Sequence, residues 1–246
     1  IKALIGGGFG YLIMMFIIIY GGFVMRSVIE EKTSRIIEII ISSVKPFQLM
    51  MGKIIGTSLA GITQFVIWII SGILLLTVAI YVFDIDLGVG AGPNFATDDV
   101  SNMMTNTTQD TMQLYAAELL KIPWGTLVGF FIVYFVLGYL IYSSIYAAIG
   151  AAVDNETDTQ QFIFPIIMPL MLAIYVGFFS VFNNPNGPIA VAFSLFPLTS
   201  PIVMMMRLSG GIGGSGVPAW QLICFILILI GTVIGIFWLA AKIDRV

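Results

Sequence analysis

The sequence predicts an all-α polytopic membrane protein with five transmembrane helices. Three observations carry that expectation. Of 246 residues, 59% are hydrophobic and only 9% are charged, against about 25% charged in a soluble domain. The charges fall in clusters separated by long uncharged runs. The chain has no histidine and a single cysteine, Cys224. So little charge cannot cover the surface of a soluble globule, and disorder, collagen and disulfide scaffolds are excluded. The missing histidine excludes Ser-His-Asp and Cys-His catalysis and HExxH zinc chemistry within the chain. One cysteine in an apolar run makes no thiolate cluster for a metal. The net charge of −3 argues against a nucleic-acid partner, which needs a basic face. The lipid bilayer is the expected surrounding.

The uncharged runs are Ala3–Met25 (23 residues), Ile54–Phe83 (30), Ile122–Val153 (32), Thr159–Met206 (48) and Leu208–Ala241 (34). About 20 apolar residues cross about 30 Å of hydrocarbon, so each run holds a span. The expected spans are about 3–25, 54–83, 122–152, 160–182 and 218–241. In the longest run, Gln160–Phe182 fills a span interrupted by Pro165 and Pro169. Asn183-Asn184-Pro185-Asn186-Gly187-Pro188 then reads as a turn. Ile189–Phe196 and Ile202–Leu208 are too short to cross, and Pro197-Leu198-Thr199-Ser200-Pro201 splits them. This pattern favours an external re-entrant helical hairpin within 183–217, with Pro197, Thr199 and Pro201 at its turn. A sixth full span is the alternative.

Five spans put the termini on opposite sides. With 26–53 and the C-terminus inside, seven Lys and Arg lie inside and three outside, which satisfies the positive-inside rule. Residue 1 is then external, and loop 84–121 is external and acidic. An external start with no cleaved signal implies an earlier span upstream of residue 1.

Residues 26–53 carry the most information. Ile29, Thr33, Ile36, Ile40 and Val44 share one helical face. Glu30, Glu31, Lys32, Arg35 and Glu38 spread over the others. Glu31 and Arg35 have the favourable i,i+4 order. Ser27 and Glu30 have capping-box spacing, so either a helix starts at Ser27 or the first span continues through it. Pro46 ends this helix near Lys45. The nearly balanced charge suits a protein partner better than an anionic bilayer. In the turn 154–158, Asp158 with Gln161 has capping spacing. Asp154, Glu156 and Asp158 form a possible second cytoplasmic contact.

Glu30-Glu31-Lys32, Arg35-Ile36-Ile37-Glu38-Ile39-Ile40-Ile41-Ser42-Ser43-Val44-Lys45-Pro46 and Gln48-Leu49-Met50-Met51-Gly52-Lys53-Ile54-Ile55-Gly56 resemble type-2 ATP-binding-cassette exporter permeases. The resemblance is closest to the sodium-efflux permease branch. Ala147-Ala148-Ile149-Gly150-Ala151-Ala152-Val153, Asp158-Thr159-Gln160-Gln161 and Phe196-Pro197-Leu198-Thr199-Ser200-Pro201 are similar to that branch's later motifs. The resemblance implies helices two to six of a six-helix permease, whose first helix and external domain would precede residue 1. It implies a cytoplasmic coupling helix at Glu30, Glu31, Lys32, Arg35 and Glu38, with Gly52 and Lys53 starting the next helix. It also implies two ATPase partner chains and a homodimer or a paired homologous permease in the cell membrane.

The chain has no phosphate-binding loop: Gly52-Lys53 lacks the upstream glycine and the following Ser or Thr that the motif requires. ATP and Mg²⁺ are therefore expected on a partner subunit, with no cofactor and no catalytic residue here. The spans hold no carboxylate, which excludes an aspartyl-type intramembrane site. Ion-coupled carriers usually place ionisable residues near the midplane, and none is present. Gln64 is the candidate pathway residue; an interhelical hydrogen bond is its competing role. The sequence thus reads as the permease of an ATP-driven exporter of sodium or of an amphiphilic, lipid-like compound, working by alternating access. A nucleotide-independent carrier or channel and a non-transporting membrane scaffold are the alternatives. Gly6/Gly10, Gly52/Gly56, Gly125/Gly129 and Gly231/Gly235 are close-packing pairs, expected mainly within the chain.

Overall fold

A computed structural model describes residues 2–33, 46–83, 122–153, 159–213 and 216–243. Arg35 and Glu38, the loop 84–121 and the turn residues Asp154, Glu156 and Asp158 lie outside them. Among the described residues the protein is helical, and five helices are long and apolar enough to cross a membrane. The long helices are α1 (Lys2–Thr33), α2 (Pro46–Phe83), α3 (Trp124–Ala152), α4 (Gln160–Val176) and α7 (Ala219–Ile243). Between α4 and α7 lie two short helices, α5 (Pro188–Leu195) and α6 (Ser200–Leu208). Neither is long enough to cross, so the sixth span is not formed.

Of the two courses expected at Ser27, α1 takes the second: it does not restart there but runs unbroken to Thr33. Its packing continues past Arg26, because Met25 and Val28 lie against Gly150 of α3. A capping box would need Ser27 out of helical geometry, which that packing forbids. α2 starts at Pro46 rather than near residue 54. Proline suits a first helical turn, where its missing N–H has no intrahelical role. Lys53 therefore lies inside a helix, not before it.

α4 stays continuous through Pro165 and Pro169. Proline removes a helix hydrogen bond, yet here the helix continues and then widens into a π turn at Gly177–Val181. Gly177 faces the Met206 side chain there.

Cross-helix contacts fix the directions. Phe9 meets Phe131, Phe16 meets Phe135, and Gly21 faces Tyr146, so α1 and α3 run parallel. Lys53 reaches Ser27, Gly61 faces Phe135 and Tyr20, and Phe65 packs on Phe16, so α2 runs antiparallel to α1. The core is aromatic at this crossing. Phe65 and Phe131 stack with centroids 3.9 Å apart, and Phe16 meets their edges at 6.5 Å. Such pairs each add about 0.5–1.5 kcal/mol beyond burial. α2 leaves Trp68, Ile70, Ile73 and Leu74 exposed. In water such a stripe would be a large exposed apolar patch; a bilayer accommodates it.

The short helices form a hairpin that enters the bundle from the end where α1 begins. Gly10 lies against Ile202 and Met206, and Gly6 against Met206 and Ser209, so α6 runs antiparallel to α1. Its first turn meets the middle of α1 and α3, where Pro201 packs on Gly138 and Ile17 lies alongside. The hairpin thus descends halfway along the long helices and returns. Gly6 and Gly10 pack within the chain as expected. Gly52, Gly56, Gly125, Gly129, Gly231 and Gly235 do not: nothing lies within 4 Å of a Cβ built on any of them. GxxxG spacing defines a smooth face but not which way the helix turns it.

Candidate functional site

Two sites stand out, one at each end of the bundle. The first gathers Glu30, Glu31, Lys32, Gly52 and Lys53, the described members of the segment that the sequence led us to expect as coupling. Lys53 Nζ lies 2.6 Å from Glu31 Oε1 and donates to Ser27 O at 3.0 Å. This clamps α2 to α1 and brings residues 33 and 46, which flank the 34–45 segment, from one braced base. Lys32 Nζ donates to Ala151 O at 3.2 Å and Val153 O at 3.3 Å. These carbonyls close α3, where a cation is favoured by the exposed carbonyls and the helix dipole. Glu30 is exposed at the same end. Glu31, Lys32 and Lys53 therefore have partners within the chain, which their charge pattern alone did not show. Gly52 faces open space.

The second site is the hairpin, and its centre was not singled out from the sequence. Arg207 is fully buried. Its Nε donates to Pro185 O at 2.7 Å, one terminal nitrogen to Ser194 Oγ (3.1 Å) and Met204 Sδ (3.5 Å), and the other to Gln221 Oε1 (2.8 Å) and Asn186 Oδ1 (3.2 Å). The five guanidinium N–H groups thus have five acceptors, as burial requires. The acceptors come from the turn before α5, from α5 and α6, and from the first turn of α7. Sequence counting had placed Arg207 with the external charges. The usable signal was the company of Asn186, Ser194 and Gln221 in an otherwise apolar region.

The predicted turn residues meet at the hairpin tip. Thr199 Oγ1 donates to Phe193 O at 2.6 Å, and Ser200 N donates to Phe196 O at 2.8 Å. Pro201 opens α6 and fills the space left by Gly138. Tyr142 donates its hydroxyl to Leu198 O at 2.9 Å, while the buried Tyr134 hydroxyl has no partner among the described residues. These two tyrosines make a matched test. Tyr142→Phe is expected to lower stability by about 1 kcal/mol, and Tyr134→Phe to leave it unchanged or raise it. Thermal melts of the two purified variants check this.

The other polar span residues serve their own helices. Thr63, Thr77 and Thr232 each donate to the carbonyl four residues before, a common local satisfaction of hydroxyls. Thr57 does the same and also meets the Tyr139 hydroxyl. Gln64 is half-buried next to Phe65 and makes no hydrogen bond among the described residues, so the interhelical bond is not formed there. Beside the hairpin, α4 and α5 enclose an apolar groove of about 610 Å³, lined by Met168, Leu172, Tyr175, Phe193, Phe196 and Thr199 among others.

Five long apolar helices around a half-depth hairpin define a multi-pass membrane protein. Its sequence matches the model of the ABC-2 family transporter proteins over residues 3–242. The chain belongs to that family, whose members are membrane components of ATP-binding-cassette systems. It is similar to the uncharacterized protein YhaP of Bacillus subtilis (strain 168), at 42% identity over 66 residues, 27% of this chain and 16% of that protein. It is also similar to the uncharacterized protein MJ1024 of Methanocaldococcus jannaschii, at 37% identity over 76 residues, 30% of this chain and 19% of that protein. The matched stretch thus spans less than a fifth of either relative. No solved structure matches the chain.

Proposed function

We propose that the chain is the permease of an ATP-driven exporter, with a partner ATPase docking on the 34–45 segment. The family match over nearly the whole chain carries this reading. The clamp of Lys53 on Glu31 and Ser27 supports it, because it braces both helices from which that segment emerges. In this orientation the Lys53 end faces the cytoplasm of the cell that holds the protein, and the Arg207 end faces out. Two permease copies and two ATPase chains complete the pump. ATP-driven closure of the ATPases pushes the segment, and the long helices re-open toward the opposite side. The ATPases hold ATP and Mg²⁺.

For the cargo we favour an amphiphile over sodium. In the described spans the carboxylates Glu30 and Glu31 sit at the very end of α1 and none lies deeper, and the groove beside the hairpin is lined almost wholly by apolar and aromatic groups. A sodium path needs clustered oxygen ligands; an apolar chain needs only such a groove.

Docking has a direct test. Arg35→Glu with Glu38→Arg reverses charge within the segment and leaves Lys53, Glu31 and Ser27 unaltered. Capture of the ATPase by the full-length protein is expected to fall about tenfold or more, as loss of interface charge complementarity predicts. Undiminished capture would show that the ATPase docks elsewhere.

A further inference from the structure

We propose that Lys32 is the positioning residue that passes movement of the 34–45 segment from α1 to α3, and through α3 to the hairpin. The proposal rests on the reading that this segment receives the push of an ATPase.

Lys32 stands at the last turn of α1, directly before that segment. Its neighbour Thr33 turns its hydroxyl back onto Ile29 O at 3.0 Å and Glu30 O at 3.2 Å. The end of α1 is therefore held helical up to the point where the segment leaves. Across the gap, Lys32 spans two carbonyls at the end of α3, Ala151 O and Val153 O. Helix ends leave such carbonyls without intrahelical donors. A cation there gains from both hydrogen bonds and the helix dipole. Lys53 acts differently: it binds Glu31 and Ser27, and so joins α2 to α1 but not to α3. Among the described side-chain hydrogen bonds, those of Lys32 tie α1 to α3 at this end.

α3 is the helix that reaches the hairpin tip. Tyr142 bonds Leu198 O, and Gly138 receives Pro201. Ala151 and Tyr142 are nine residues apart, about 14 Å along a helix. A rigid α3 thus connects the Lys32 anchor to the hairpin at half depth. Packing of Gly150 on Met25 and Val28 also joins α1 to α3. It sits further from the segment than Lys32 does.

Lys32→Met keeps the length of the side chain and removes the donors; Lys32→Arg keeps donors and charge. The full-length protein, reconstituted with the ATPase that copurifies with it, is assayed for ATP hydrolysis and for dye-labelled amphiphile moved per ATP. Spin labels at positions 30 and 149 report the α1–α3 spacing in parallel, without any need for the ATPase. Lys32→Met is expected to retain attached ATPase but to move at least about fivefold less cargo per ATP, the lower bound of ordinary coupling between sites. Its spin-label distances should broaden. Lys32→Arg is expected to restore both. Normal cargo per ATP in Lys32→Met overturns the proposal, as do unchanged spin-label distances. Equal failure of both variants overturns it too, because donors to the α3 carbonyls would then be irrelevant. Loss of ATPase attachment in Lys32→Met alone would make Lys32 a docking residue instead. If the unmodified protein captures no ATPase, the functional reading fails first and separately.

Discussion

Replacing Arg207 with leucine is expected to destabilise the protein by about 3 kcal/mol or more. The loss comes from the groups left behind. Pro185 O, Ser194 Oγ, Asn186 Oδ1 and Gln221 Oε1 all lose their donor; Ser194 is buried, Pro185 and Gln221 are half-buried and Asn186 is exposed. Each unsatisfied buried group costs about 1–3 kcal/mol. Relief of the buried charge offsets part of this, because an arginine is itself costly to desolvate. For a chain of this size about 3 kcal/mol lowers the melting temperature by about 6–12 °C. Thermal melts of the detergent-purified protein measure it. Arg207→Lys should fall between, since an ammonium offers three donors where the guanidinium offers five. A melting temperature within about 2 °C of the original, on the same scale, would show that the Arg207 network does not hold the hairpin together.

The second large effect is expected at Gly138. A Cβ there would lie 2.8 Å from Pro201 Cγ and 2.9 Å from Pro201 Cβ, with Ile17 Cδ1 at 3.4 Å. The proline ring cannot rotate away, so the hairpin tip or α3 must shift. Overpacking of this kind costs about 1–3 kcal/mol. Gly138→Val is therefore expected to lower the melting temperature by several degrees and to impair transport, because it displaces the hairpin at half depth. Gly129→Ala is the control. Nothing lies within 4 Å of its added Cβ, and alanine favours helix over glycine by about 1 kcal/mol. It should be neutral or slightly stabilising. If the two variants melt alike, the close approach of Pro201 to α3 is not what seats the hairpin.

Five spans and the short hairpin were legible because hydrocarbon thickness and proline placement are one-dimensional constraints. Uncharged runs and the Pro197–Pro201 turn express them directly. The boundaries were less legible for a definite reason. Counting charges stops a span at Arg26 and restarts it after Lys53, whereas the helices run on to Thr33 and begin at Pro46. Lys53 is accommodated there by Glu31, a partner that only the fold brings near. The burial of Arg207 was not legible for the same cause. A charge in the sequence reads as solvent-seeking, and its burial depends on acceptors 13 to 22 residues away. The glycines divide similarly. Isolated Gly21, Gly138 and Gly150 sit in close contacts, while three of the four spaced pairs face outward. Spacing reports a helix face; only packing decides what that face meets. Glu31, Lys32 and Lys53 meet at one end of the bundle, but their ties to one another and to α3 were not legible in the sequence.

Under the proposed function this chain moves cargo only when an ATPase drives it. The most direct measurement is flux from liposomes holding the full-length protein with its copurifying ATPase, loaded with a dye-labelled amphiphile. The expected result is transport with hydrolysable ATP, and none with a non-hydrolysable analogue or without the ATPase. Equal flux from the permease alone, in the absence of nucleotide, would contradict it.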